Sequence, residues 1–317
     1  MTRPSYEKIK EIAIDSMVVR SPAVSFLAEG EGNYNYLLEE DGRKLVLRCK
    51  KSDEVEFADS LAKEYILLRF LAAAGINNFP KAVHFDATHN VLIESFLAGE
   101  TILLNELSDA QLQQYVECMH RVFSIDTDAL ANFCDQEGFP QPPSADLLRS
   151  IDVYGTKRLQ AAKQGNWPIE TEIIAWLEAN LQQNYLLAQQ HVDGRKTGLG
   201  IGDIQAEIIL SESGEIQLFD LEHARYSHSI GLSYLKIHGN FSPEQFKTIV
   251  NTYATLSGTP KKELYAYMAL EERLTRINDV IWAAMKWAET GEQQYHDLMY
   301  LRKAIAEKFL ENAESGV

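Results

Sequence analysis

The sequence predicts an α+β protein in two parts. A small lobe over residues 1–97 carries five antiparallel strands and one packed helix, and a larger, mainly helical lobe covers 98–317. Three observations carry that prediction. Short runs of strand-forming residues, separated by turn residues, fill the stretch from Val24 to Phe96, with one helical stripe among them. From Asp109 onward the apolar spacing is that of helices. One acidic hairpin, near residues 200–222, interrupts those helices.

Residues 5–17 spell a short amphipathic helix with Ile9, Ile12 and Ile14 on its apolar side. Val24–Leu27 and Tyr34–Leu38 read as strands flanking Glu29-Gly30-Glu31-Gly32-Asn33, and an Asp41-Gly42 turn leads back through Lys44–Lys50. Glycines in such a turn let backbone N–H groups approach a phosphate closely. On the third strand a period of two sends Leu47 and Cys49 one way and Val46, Arg48 and Lys50 the other. Residues 53–74 follow as a helix striped by Phe57, Leu61, Tyr65, Leu68 and Leu71, with Glu64 beside the stripe and placed to pair with a basic residue of the third strand. Ala82–Phe85 and Val91–Phe96 make two more strands, and Leu97-Ala98-Gly99-Glu100 breaks the pattern. Ser108 opens a helix reaching about Ser124, on which His120 reads as a packed, hydrogen-bonded residue. After a loop at Pro140–Pro143, helices are expected near 145–163, 168–191, 242–257, 260–290 and 292–312. Trp282, Trp287, Tyr265 and Tyr267 read there as core or groove wall.

The acidic hairpin runs through Gly202-Asp203-Ile204-Gln205-Ala206-Glu207, a Ser213-Gly214 turn, and Phe219-Asp220-Leu221-Glu222. A two-residue loop at Ser213-Gly214 pairs Glu212 with Glu215 and sets Glu207 opposite Asp220. Asp203, Glu207 and Asp220 then meet beside Gln205, and like charges that close call for a cation or proton. A divalent metal suits them, because hard cations take carboxylate oxygens and leave positions for phosphates. The same residues also fit an ordinary solvated surface turn.

With 317 residues the chain can bury a sizeable core, and its 45% hydrophobic and 24% charged residues are those of a globular protein. A net charge of −16 argues against nucleic acid or an anionic membrane as partner, and it tolerates a cationic small substrate. Cys49, Cys118 and Cys134 are odd in number and lack ligand spacing, so neither a disulfide framework nor a zinc site is expected. With no apolar signal core at the start and no run long enough to span a bilayer, a cytoplasmic location is the expectation.

Taken in order, these motifs resemble the aminoglycoside phosphotransferase/choline kinase family of small-molecule kinases, from roughly residue 22 to 240. The resemblance implies a bilobal, protein-kinase-like fold and the cofactors ATP and Mg²⁺. Gly30, Gly32 and Asn33 look like the loop that covers the nucleotide. Arg48 resembles the basic residue that contacts its phosphates, and Glu64 the helix glutamate that orients it. Glu94 and Phe96 lie in a stretch similar to the hinge whose backbone holds adenine, and Met119-His120 resembles a structural Leu-His pair. Gly202-Asp203 looks like the end of a His-Gly-Asp catalytic loop, which makes Asp203 the residue that takes or orients the acceptor's proton. Asp220 resembles the aspartate that binds magnesium at the phosphates.

Departures matter as much. The loop histidine is Ile201 and the loop asparagine is absent; one count puts Ile208 in its place, and the hairpin count, which keeps the strand pattern, puts Glu207 there. Arg225–Gly231 lacks an aspartate often present in the family. The acceptor is expected near Glu222, Tyr226, Glu272 and Trp282, an acidic and aromatic set that suits an amino-bearing compound. Two functions follow from the whole: a phosphotransferase acting on a hydroxyl of a small metabolite, or a catalytically silent kinase-like protein that binds a nucleotide, a metabolite or a protein partner.

Overall fold

The computed structural model describes residues 3–30, 32–51, 60–142, 148, 151–191, 198–201, 207–221, 224–227 and 229–314. The chain divides into two compact units. One comprises Met1–Pro143, Gly198–Arg225 and Phe241–Thr252; the other comprises Ser144–Thr197, Tyr226–Asn240 and Tyr253–Val317.

The first unit is built on a five-stranded antiparallel sheet of β1 (Ala23–Glu29), β2 (Asn33–Glu40), β3 (Arg43–Lys50), β4 (Ala82–Asp86) and β5 (Val91–Ser95), in the order β1-β2-β3-β5-β4. Asp41 and Gly42 join β2 to β3 with φ of 51° and 78°, and Glu40 pairs with Arg43. Two successive positive φ values match the twist of the strands they connect, which is why Asp-Gly serves there.

One face of the sheet is apolar. Tyr36, Leu38, Leu45, Leu47, Cys49, Val91 and Ile93 pack with Ile9, Ile12 and Ala13 of α1 (Tyr6–Asp15). The Ser5 hydroxyl caps that helix by accepting from the Lys8 N–H at 3.2 Å. Ile14 is 38% exposed, against expectation, because the buried stripe runs through positions 9, 12 and 13.

On the other side, α2 (Ser60–Ala73) packs against β4 and β5. Its expected first turn, with Phe57, falls outside the described residues. Leu61, Leu68 and Leu71 are buried as the stripe predicts; Ile66, Leu67 and Glu64 are buried as well, and Tyr65 is half-buried beside the Phe85 ring. The helix ends where Gly75 takes a φ of 75° and the Ile76 N–H reaches back to the Leu71 carbonyl.

Glu100–Leu103, where the strand pattern breaks, forms β6; after the short β7 (Gly198–Gly200), β8 (Glu207–Leu210) pairs with β6 and with β9 (Ile216–Gln217). Gly99 makes this possible, since a Cβ there would collide with the Leu210 carbonyl oxygen. The β8–β9 turn differs from the two-residue expectation. Ser211 donates to the Glu215 carbonyl, Gly214 donates to that of Ser211 with a φ of 81°, and Ile209 faces Gln217. The loop therefore has three residues, a turn closed by one left-handed glycine. That shifts the register by one and removes the basis for setting Glu207 opposite Asp220. The helix α3 (Asp109–Phe123) opens at Ser108 with a reciprocal Ser108–Gln111 cap, as its sequence requires.

The second unit is helical, with long helices at Thr171–His191, Lys261–Thr290 and Gln293–Glu314 around Leu177, Ile277, Val280, Ile281, Ala284 and Met299. Residues 151–157 form a π-helical turn before Arg158–Gln164, where one helix over 145–163 is expected. Tyr267 is buried, but Tyr265 is 49% exposed and forms no part of the core. The three cysteines are free and buried, and among the described residues no helix is long and apolar enough to cross a membrane.

Candidate functional site

Strand parity creates the site. With Leu45, Leu47 and Cys49 turned to α1, their neighbours Val46, Arg48 and Lys50 face the opposite side of the sheet. Register carries the same face across to Asn33, Asn35 and Leu37 on β2 and to Leu92 and Glu94 on β5. This second face carries Arg48, Lys50 and Glu94 beside Leu37, Val46 and Leu92, and α2 packs on its β4–β5 side.

Arg48 is the centre of that face. It is buried, and its Nη1 donates to Glu64 Oε1 at 2.7 Å while Nη2 lies 3.4 Å from Asp220 Oδ1. The same Glu64 oxygen accepts the Leu221 N–H at 2.8 Å. One carboxylate on α2 thus holds both the guanidinium and the backbone beside Asp220. Asp220 itself has a φ of 67°, a left-handed conformation that aspartate tolerates better than most residues, and its side chain is 39% exposed. Hydrogen bonds from Leu218 N–H to the Asn78 carbonyl and from Asn78 Nδ2 to the Ile216 carbonyl tie the approach to Asp220 to the segment before β4.

Glu94 completes the cluster. It is 5% exposed on the same face, and among the described residues its Oε2 has no hydrogen-bond partner; the second oxygen of Glu64 is in the same state. Burial pushes the Glu64 carboxyl up to about 8, with Arg48 opposing and Glu94 and Asp220 reinforcing the rise. Burial likewise pushes Glu94 up to about 7, opposed by Arg48 and reinforced by Asp220. Burial disfavours the charged form of a carboxyl, and a single cation among three acids offsets that only in part.

Gly30, Gly32 and Asn33 form the turn at the Lys50 end of this face. Gly30 N–H donates to the Asn33 carbonyl, Lys51 N–H to the Gly32 carbonyl, and Lys51 Nζ to the Gly30 carbonyl while also pairing with Glu29. Phe96 follows β5 at the other end, half-buried, with its N–H 3.4 Å from the Lys44 carbonyl and Lys44 Nζ 5.7 Å from its ring centroid. The structure therefore brings Arg48, Glu64 and Asp220 together and sets Glu94 beside them.

Other expected site residues stand apart or out of view. Asp203, Gln205 and Glu222 lie outside the described residues, and of Glu207 only the backbone, in β8, is described. Ile201 is buried. In the second unit Tyr226 is half-buried. Glu272 is buried with its carboxylate taken by Lys236 Nζ at 2.7 Å and Arg276 Nη2 at 2.6 Å. The Trp282 ring meets Tyr295 edge-on and lies 5.0 Å from the Arg302 guanidinium. His120, half-buried, has Nε2 3.4 Å from Ser124 Oγ. Sequence reasoning missed the Glu94 side chain as a member of the Arg48 cluster. The signal was available: a lone acid inside the apolar run Val91-Leu92-Ile93-Glu94 is a buried charge that calls for partners.

Comparison with known proteins bears on the family and the fold. The profile described as the phosphotransferase enzyme family matches residues 23–228. No curated protein sequence matches the chain. Among solved structures, the choline kinase LicA from Streptococcus pneumoniae is 17% identical, with a TM-score of 0.70 over 96% of this chain and 99% of that one. An ethanolamine kinase from Plasmodium vivax is 14% identical, with a TM-score of 0.69 over 95% and 87%. The GDP complex of aminoglycoside 2'-phosphotransferase-IIIa is 17% identical, with a TM-score of 0.66 over 95% and 99%. The architecture they share with this chain is the α+β, protein-kinase-like fold.

Proposed function

The chain belongs to the phosphotransferase enzyme family, and from that premise we propose that it is a small-molecule kinase moving the γ-phosphate of ATP, with Mg²⁺, to a hydroxyl of a small amino-bearing metabolite. The observation that carries the reading is Arg48 clamped between Glu64 and Asp220 on the polar face of the sheet. Phosphoryl transfer depends on positioning and charge neutralisation, and a guanidinium fixed from two sides is a pre-oriented phosphate partner.

In this proposal residues 1–97 are the nucleotide lobe and 98–317 the acceptor lobe. Gly30, Gly32 and Asn33 cover the phosphates, Arg48 binds them, and Glu64 orients Arg48. Glu94 and Phe96 border the base. Asp203 takes or orients the acceptor's proton. Asp220 fits magnesium as an exposed hard-oxygen donor, and Glu207 and Gln205 are assigned to the same ion. Among the described residues no three His, Cys, Asp or Glu side chains form a metal-holding group. Magnesium is commonly held through one or two carboxylates plus phosphate oxygens. Bound there, magnesium would neutralise phosphate charge.

The similar structures are named for choline, ethanolamine and an aminoglycoside, all nitrogen-bearing alcohols, which supports an amino-bearing acceptor. Glu222, Tyr226, Glu272 and Trp282 are assigned to that acceptor, and Glu272 and Trp282 already hold cationic partners. A small-molecule substrate and a cytoplasmic location complete the reading.

Asp203→Asn tests it: turnover in a screen of amino alcohols is expected to vanish with the melting temperature unchanged, and undiminished turnover would refute the role. A second reading, a kinase-like binder without catalysis, is favoured by one observation. The position of the family's loop histidine is filled by Ile201, a buried apolar residue. Product formation with any acceptor sinks that alternative.

A further inference from the structure

The polar face of the sheet is ordered in rows, and the functional reading uses only some of them. Asn33 and Lys50 form the row beside the Gly30–Gly32 turn. Asn35, Arg48 and Leu92 form the next, followed by Leu37, Val46, Glu94 and Ala82. Successive rows on one face are about 7 Å apart. The glycine turn and the basic side chains that suit phosphate therefore crowd one end of the face. A nucleotide with its phosphates there must run its sugar and base the other way, over the half-buried pair Leu37 and Val46, and that path ends at Glu94.

Glu94 has an unused hydrogen-bond acceptor. Its Oε2 is buried and has no hydrogen-bond partner among the described residues, and the Arg48 guanidinium is committed to Glu64 and Asp220. An ionised carboxylate only accepts hydrogen bonds, and a buried acceptor left unpaired is a standing penalty that a donor from a ligand would remove.

We propose that Glu94 is a specificity-determining residue of the nucleotide site, its carboxylate accepting from the amino group at purine C6 and so selecting 6-amino over 6-oxo bases. The inference rests on the nucleotide-site reading above and names what that site prefers. A 6-amino group turns an N–H toward the carboxylate, whereas a 6-oxo group turns lone pairs toward an anion. Sites built to hydrogen-bond a donor reject the analogue that lacks it far more strongly than apolar pockets reject a methylene.

The test is equilibrium titration of ATP, inosine triphosphate and purine ribonucleoside triphosphate (no group at C6) into the wild type, Glu94→Gln and Glu94→Met. It is run with Mg²⁺ at pH 8.5, above the raised Glu94 value of about 7, to favour the carboxylate. The wild type is expected to hold ATP at least about tenfold more tightly than either analogue. Glu94→Met should bring the three within about threefold of one another. Glu94→Gln, which keeps the shape and can donate as well as accept, should gain for the 6-oxo base relative to ATP. Equal wild-type affinities, or a preference unchanged in both variants, would overturn this inference and leave the nucleotide site standing. A wild type that binds none of the three overturns both.

Discussion

The first unit buries one guanidinium among three carboxylates, Arg48 with Glu64, Glu94 and Asp220, whereas the second buries one carboxylate between two cations, Glu272 with Lys236 and Arg276. In the second cluster both Glu272 oxygens are used, Oε1 by Arg276 and Oε2 by Lys236. In the first, one oxygen each of Glu64 and Glu94 has no partner among the described residues. Folding alone favours the saturated arrangement, because an unpaired buried charge destabilises. In the proposed function the missing positive charge comes from magnesium and the missing donors from the nucleotide.

That contrast can be broken most forcefully at Arg48. Arg48→Ala removes the only cation bonded to Glu64 among the described contacts, and is expected to lower stability by about 3–5 kcal/mol and abolish nucleotide binding. Denaturant unfolding and nucleotide titration of the same sample check both. Glu272→Gln should behave differently. It weakens charge-assisted bonds in the other unit, lowering stability by about 2 kcal/mol with nucleotide affinity unchanged. A variant at Glu272 that lost nucleotide affinity would erase the distinction.

Gly99→Ala probes the frame that carries β6. Its Cβ collides with the Leu210 carbonyl oxygen, and a loss of about 1–3 kcal/mol is expected by urea unfolding. A pH-dependent effect belongs to the proton on Glu94. Its folded pKa, about 7, lies above its ordinary value of 4.5, so between those values the folded state holds a proton that the unfolded state has released. Its contribution to stability is therefore full below that window and falls as pH rises through it. Glu94→Gln lacks this dependence, so its melting temperature should climb relative to wild type from pH 5 to pH 8. A constant difference would contradict the assignment.

The parts of the fold and the site that are legible in the sequence are those with a local signal. The Asp41-Gly42 turn, the Ser108 cap and the facing of Arg48 and Glu64 follow from turn chemistry, capping and period-two or helical spacing, and all three stand. β6 does not announce itself, because four residues pair with a partner far along the chain and carry no pattern of their own. The β8–β9 register slips because Ser213-Gly214 reads as a two-residue loop, while only Gly214 adopts positive φ. The place of Glu94 depends on its pairing with Val46, a fact of register and not of composition. Ile14 departs from expectation for a simpler reason, lying about 100° round the helix from its neighbour Ala13, which is buried.

The central claim is that the acid-rich side of the sheet is a magnesium–nucleotide site. Calorimetric titration of ATP, with and without Mg²⁺, into the wild type and Asp220→Ala tests it most directly. Asp220 holds a φ of 67° and pairs with Arg48, so Asp220→Ala is expected to lose some stability, and the titration is run below the melting transition of the variant. Binding that requires magnesium and is lost in a variant still folded at the titration temperature is the predicted result. Equal binding by both proteins, or none by the wild type, would contradict it.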